Sequence, residues 1–71
     1  MISIYFECAG RREHLGDYNT EKDAYKAAQE AIQKKFKTVS KYWRSWISET
    51  DPSETYSDFG SWSTYLVKKI N

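Results

Sequence analysis

Residues 2–8 alternate: Ile2, Ile4, Phe6 and Cys8 share one parity, and Ser3, Tyr5 and Glu7 take the other. A period of two predicts a strand with one buried face. Ala9-Gly10-Arg11-Arg12 reads as a turn in which Gly10 can take positive φ, and Glu13-His14-Leu15 as a short returning strand. The period then changes. Between Thr20 and about Lys37 there is no Gly or Pro. At ~100° per residue, Ala24, Tyr25, Ala28, Ala31, Ile32 and Phe36 fall on one face and Lys26, Gln29, Glu30, Gln33 and Lys37 opposite. Thr20 is placed to cap this helix, with Asp23 three residues on as an acidic variant of the capping box. Glu21 and Asp23 at its start and Lys34, Lys35 and Lys37 at its end suit the helix dipole. The three alanines predict close approach to a flat sheet, with Tyr25, Ile32 and Phe36 flanking the contact.

From Val39 a period of two returns. Val39, Trp43 and Ile47 share one parity; Tyr42, Arg44 and Trp46 share the other. Glu49-Thr50-Asp51-Pro52-Ser53-Glu54 is a turn signal. Thr55–Phe59 reads as an antiparallel return, Gly60-Ser61 as a break, and Trp62–Ile70 as a further alternating strand. The predicted order is strand, short strand, helix and two or three strands. The economical solution is an α+β domain over residues 1–71, with a single helix on one face of a mostly antiparallel four- or five-stranded sheet.

Parity then divides the sheet. If the helix covers Ile2, Ile4, Phe6, Trp43, Ile47, Leu66 and Ile70, then Tyr5, Tyr42, Arg44, Trp46, Tyr65, Val67 and Lys69 lie on the opposite face. The chain offers no second helix to cover them. Contiguous exposed apolar surface marks interaction sites, and Tyr, Trp and Arg are enriched in binding hot spots. The expected contact set is Tyr5, Tyr42, Arg44, Trp46, Tyr65 and Val67, for a protein partner or a second copy of the chain. A single-stranded nucleic acid stacked on the rings is the alternative. Arg11, Arg12, Lys41 and Lys69 would then meet phosphates or, in the first reading, an acidic partner. The bland alternative is that the C-terminal strands curl and bury the rings on both sides.

Composition sharpens this picture. The 71 residues carry three Trp, six Tyr and three Phe, 17% aromatic, beside 30% charged residues. Disordered chains are poor in aromatics, so the rings argue for order, and with few Leu and Val they must supply much of the core. Phe6, Tyr25, Phe36, Trp43 and Trp62 are the expected core rings, while Tyr18, Tyr56 and Phe59 stay unassigned. The net charge of +1 gives no global pull towards nucleic acid or an acidic membrane. Charge is nevertheless segregated: residues 26–47 hold six cations and one Glu, whereas Glu49, Asp51, Glu54 and Asp58 follow without a cation up to residue 67. No apolar run is long enough for a spanning helix or an export signal. Together with one cysteine, this suggests a reducing, cytoplasmic setting.

Candidate chemistry is sparse, and the expectation is a non-enzymatic protein with no catalytic residue, no metal site and no cofactor. His14 and Cys8 are the only residues of their kinds. Cys8 has the inward parity of an inert small hydrophobe, and two His/Cys side chains do not make a zinc site. The acidic run 49–58 lacks the spacing and the Gly of a calcium loop.

The stretch Gly10-Arg11-Arg12 followed by Leu15-Gly16-Asp17-Tyr18-Asn19-Thr20-Glu21-Lys22-Asp23-Ala24 resembles the hairpin-then-helix segment of the small DNA-binding domains of phage and transposon integrases. In those domains a basic turn and a strand lead through a Gly-aromatic-x-Thr step into an acidic helix. They place the whole sheet before the helix, whereas here the longest strands are expected after it. In size, Tyr/Trp-rich strands and its Gly-Ser-Trp step, the chain also resembles small orphan proteins of phages and mobile elements. That resemblance implies a modulator that binds a host or competitor protein.

Overall fold

In the computed structural model, which describes residues 1–37, 44–61 and 63–71, the chain begins with a tight hairpin. Strands β1 (Ile2–Cys8) and β2 (Arg11–Tyr18) are joined by Ala9 and Gly10 alone. Both of these have positive φ, 52° and 78°, the backbone of a two-residue turn matched to strand twist. Arg11 and Arg12 are therefore strand residues rather than turn residues, and β2 runs well beyond the expected Glu13–Leu15. The pairing slips by one between Ile4 and Tyr5. This bulge sets Leu15 against the core and leaves Gly16 beneath the Tyr18 ring, where a Cβ would lie 2.6 Å from the hydroxyl oxygen.

Helix α1 (Glu21–Phe36) starts where expected: Thr20 Oγ1 accepts the Asp23 N–H at 3.2 Å. It ends at Lys37, which is left-handed (φ 54°) and donates its N–H to the Gln33 carbonyl at 2.8 Å. The remaining strands are β3 (Arg44–Ile47), β4 (Glu54–Asp58) and β5 (Thr64–Ile70). The five form one antiparallel sheet in the order β2-β1-β5-β4-β3. The first strand thus pairs with the last at the centre, and β2 and β3 are the edges.

The helix lies on β1 and β2. Its buried Ala24, Ala28 and Ile32 meet Ile2, Ile4, Phe6 and Leu66. Phe6, Phe36 and Phe59 close one end of this core, with ring centroids 5.3–5.9 Å apart. Phe59, unassigned from sequence, is buried just past β4.

Several expected core positions are corrected. Ile47 is 65% exposed, and Ile70 and Tyr25 are exposed too. The reason is width: a helix is about 10 Å across, whereas five strands ~4.8 Å apart span about 19 Å. One helix covers β2, β1 and part of β5, so β3 receives no lid from it. Ile70 ends its strand, and Tyr25 sits a full 100° step from Ala24 on the helix. Beyond the helix, the same side of the sheet carries the small hydroxyl residues Ser45, Thr55 and Ser57, with the Ser45 and Ser57 hydroxyls 2.8 Å apart. Cys8 is exposed rather than inward, because it lies at the strand end beyond the reach of the helix. Its thiol is held below the ordinary range, chiefly by the Ser63 hydroxyl. The expected core residues Trp43 and Trp62 lie outside the described residues.

Candidate functional site

Register places the second face row by row. Arg12, Glu7 and Tyr65 stand side by side on β2, β1 and β5, and Asp58 and Arg44 pair beyond them on β4 and β3. The middle row is His14, Tyr5, Val67, Tyr56 and Trp46. The third is Asp17, Ser3, Lys69 and Glu54. Tyr5, Arg44, Trp46, Tyr65, Val67 and Lys69 therefore do share one face, and Tyr56 joins them. Tyr42 and Lys41 lie outside the described residues. Among the described residues, no other element crosses this face.

The central part of the face is held by ions rather than by apolar contact. Arg12 and Glu54 reach towards each other from strands three places apart, about 14 Å of sheet. They meet in a bidentate pair of 2.7 and 2.8 Å. Arg12 Nε also donates to Glu7 at 2.7 Å, and Nη2 to the Tyr56 hydroxyl at 3.1 Å. The guanidinium lies 5.6 Å from the Tyr5 ring centroid. Lys69 adds weaker approaches of 3.8 Å to Glu54 and 3.6 Å to Asp51. Glu54 keeps only 8% of its side-chain exposure, and the Arg12 hydrogen bonds hold its carboxyl below the ordinary range. Arg12 is correspondingly fixed as a cation. Burial pushes the Tyr56 hydroxyl up, with Glu7 reinforcing the shift. At the β2 end, Asp17 accepts from Ser3 and lies 2.9 Å from His14 Nε2; these contacts hold its carboxyl low. The Tyr5 and His14 rings are 5.2 Å apart.

Three expectations are corrected by this network. Val67 is 0% exposed; flanked by Tyr5 and Tyr56 beneath the Arg12–Glu54 arch, it is the floor of the face and not a contact residue. Arg12 is not an available phosphate ligand, since Glu54 and Glu7 already hold it at 2.7–2.8 Å, whereas Lys69 only approaches Asp51 and Glu54 at 3.6 and 3.8 Å. Arg11, opposite Cys8 in the register, faces the helix side, so Arg11 and Arg12 point to opposite faces and Arg11 does not join the other expected cations on the open face. The same opposition separates Cys8 from His14.

Towards β3 the face changes character. Trp46 stacks on Tyr56 (6.1 Å, 17° between planes), and Tyr65 meets both edge-on at 5.7 and 6.3 Å. Trp46 is 39% and Tyr65 36% exposed. Arg44 lies 5.9 Å from the Trp46 ring and 3.6 Å from Asp58. Aromatic pairs of this geometry are worth about 0.5–1.5 kcal/mol beyond their burial, so the rings hold one another in place while still presenting surface. Sequence reasoning missed Tyr56 because the parity of β4 could not be anchored without its register. It missed Glu54 because its partner lies forty-two positions away.

Among the described residues there is no cluster of three or more His, Cys, Asp or Glu that could hold a metal ion. Among the described residues, no helix is long and apolar enough to cross a membrane. Comparison of the chain with protein-family models, with curated proteins and with solved structures finds no match.

Proposed function

We propose that this chain is a non-enzymatic protein-binding module whose contact surface is the aromatic end of the open face: Trp46 and Tyr65, backed by Tyr56 and flanked by Arg44. The observation that carries the reading is a mutually braced ring cluster left exposed on a sheet face that no described element crosses. Pre-ordered rings lose little conformational entropy when a partner lands on them. Tyr, Trp and Arg are also the residue types that dominate interface energetics. A protein partner fits better than a nucleic acid, because the cations of this face are already matched by carboxylates of the same chain, Arg12 by Glu54 and Glu7 and Arg44 by Asp58.

The double variant Trp46→Ser/Tyr65→Ser tests the reading. We expect its far-UV circular dichroism and cooperative melting to persist while association with a protein partner, including a second copy, is lost. Titration of the wild type with a short oligothymidylate should give no binding. Unfolding of the double variant would show that the rings are core. Oligonucleotide binding that falls steeply with salt would give the face to nucleic acid instead.

A further inference from the structure

We propose that the partner is a second copy of the chain, joined through the outer edge of β3 in an antiparallel strand pair that makes one continuous sheet of two domains. The inference rests on the reading of Trp46 and Arg44 as protein-contact residues and names what they meet.

The backbone bonding pattern shows which groups of β3 are unused. The Ser48 N–H donates to the Glu54 carbonyl at 2.9 Å, and β3 pairs with β4 in the same register, Trp46 opposite Tyr56 and Arg44 opposite Asp58. Hydrogen-bonded pairs alternate along an antiparallel ladder, so Trp46 and Arg44 bond inwards to β4. Ser45 and Ile47 then direct their N–H and C=O groups outwards. No described backbone group pairs with those of Ser45 and Ile47, and all four β3 residues are exposed.

Natural edges are normally guarded by charge, bulges or proline. The other edge is: β2 carries Arg11, Arg12, Glu13, His14 and Asp17 and contains the bulge. The β3 segment Arg-Ser-Trp-Ile has no such guard, and its one cation already has Asp58 beside it. The guarded β2 edge disfavours head-to-tail addition of β3 to β2, which would grow without limit. Pairing of β3 with its own copy closes at two.

The faces also match. Two-fold pairing keeps the open faces together when paired residue numbers differ by an even count. In the register centred on Trp46, each Ser45 faces the Ile47 of the other copy, and all the outward groups of these residues find partners. The two Trp46 side chains stand opposite each other on the open face. Each Ile47 is covered by a small serine neighbour rather than a charge. The register centred on Arg44 is disfavoured because it opposes two guanidinium groups. Four-residue strands bury well under about 1,200 Å² in total, the class of weak and transient interfaces, so association should depend on concentration.

Sedimentation of the wild type from micromolar to millimolar concentration, with amide hydrogen exchange read at both ends, tests this. We expect a monomer that becomes a dimer. The Ser45 and Ile47 amides should gain protection as it forms, while the Trp46 amide is protected throughout. Ile47→Lys, which places a gatekeeping charge on an exposed position, should melt as the wild type does and weaken the dimer roughly tenfold or more. A monomer at every concentration overturns the proposal and leaves binding of another protein by the open face to be judged by Trp46→Ser/Tyr65→Ser. A dimer in which the Ser45 and Ile47 amides stay unprotected, or one lost in Trp46→Ser/Tyr65→Ser and kept in Ile47→Lys, overturns edge pairing in favour of face-to-face contact.

Discussion

The β2–β1 half of the sheet and the β4–β3 half carry similar strand patterns and end in different environments. Over β1 and β2, one face is covered by α1 and the other is tied down by Arg12, His14 and Asp17. Over β3, the helix-side positions are Ser45 and the exposed Ile47, and the opposite positions are Arg44 and Trp46. The difference follows from the width of α1, about 10 Å, not from weaker alternation in the later strands. Stability is concentrated in one half and available surface in the other. A small domain with a thin core can carry an exposed aromatic cluster this way without loosening the part that holds it together.

The sharpest way to break this comparison is to remove a side chain from the packed half. Ile32→Ala takes a fully buried residue from between the helix and the sheet, and such truncations cost about 2–5 kcal/mol. Since whole domains are stable by about 5–15 kcal/mol, we expect a marked fall in the chemical-denaturation midpoint and a partly unfolded population at 37 °C. A loss below about 1 kcal/mol would mean that the helix–sheet contact is not the main source of stability.

Next in size is the ionic arch that joins the two halves. Arg12→Met leaves the nearly buried Glu54 carboxylate without its hydrogen-bonded partner and with the Lys69 ammonium, 3.8 Å away, as its remaining neighbouring cation. Breaking such a pair costs about 3–5 kcal/mol; Arg12 keeps about a third of its exposure, which puts the expected cost near the low end, about 3 kcal/mol. Arg12→Met/Glu54→Gln should recover part of the loss. The pH dependence has a definite sign. The folded Glu54 carboxyl titrates below its ordinary value of 4.5, so its contribution is present above that pH and is lost as pH falls through the lower folded value. Denaturation midpoints followed from pH 7 into the acid range should fall less steeply in Arg12→Met than in the wild type. Equal slopes would show that the arch contributes nothing to acid sensitivity.

These two sites also mark what a linear chain discloses. Parity alone assigned Ile2, Ile4 and Phe6 to one face and Tyr5, Arg44, Trp46 and Tyr65 to the other, because a strand repeats every two residues whatever covers it. The helix start was legible in Thr20 for a similarly local reason: the cap and the N–H it accepts are three residues apart. Coverage is not local. Whether Ile47 is core or edge depends on where the helix lies across the sheet, and Ile4 and Ile47 look alike along the chain. Arg12 read as a spare cation because its acceptor on β4 becomes a neighbour only once β1 and β5 pair at the centre of the sheet. Val67 read as a contact residue for the same reason, since the arch that hides it joins residues far apart in sequence.

The smallest expected effect tests the exposed half directly. Ile47→Ala removes a branched apolar side chain, as Ile32→Ala does, but at an edge position that is already 65% exposed. Surface substitutions away from packed or paired groups usually stay within about 0.5 kcal/mol, and no cavity forms where solvent already stands. We therefore expect a denaturation midpoint close to that of the wild type, with an unchanged slope against denaturant. A cost above about 2 kcal/mol, in the range of buried truncations, would place Ile47 in a core that extends to β3. The division between a load held by α1 on β1 and a surface left open on β3 would then fail, and the unguarded edge with it.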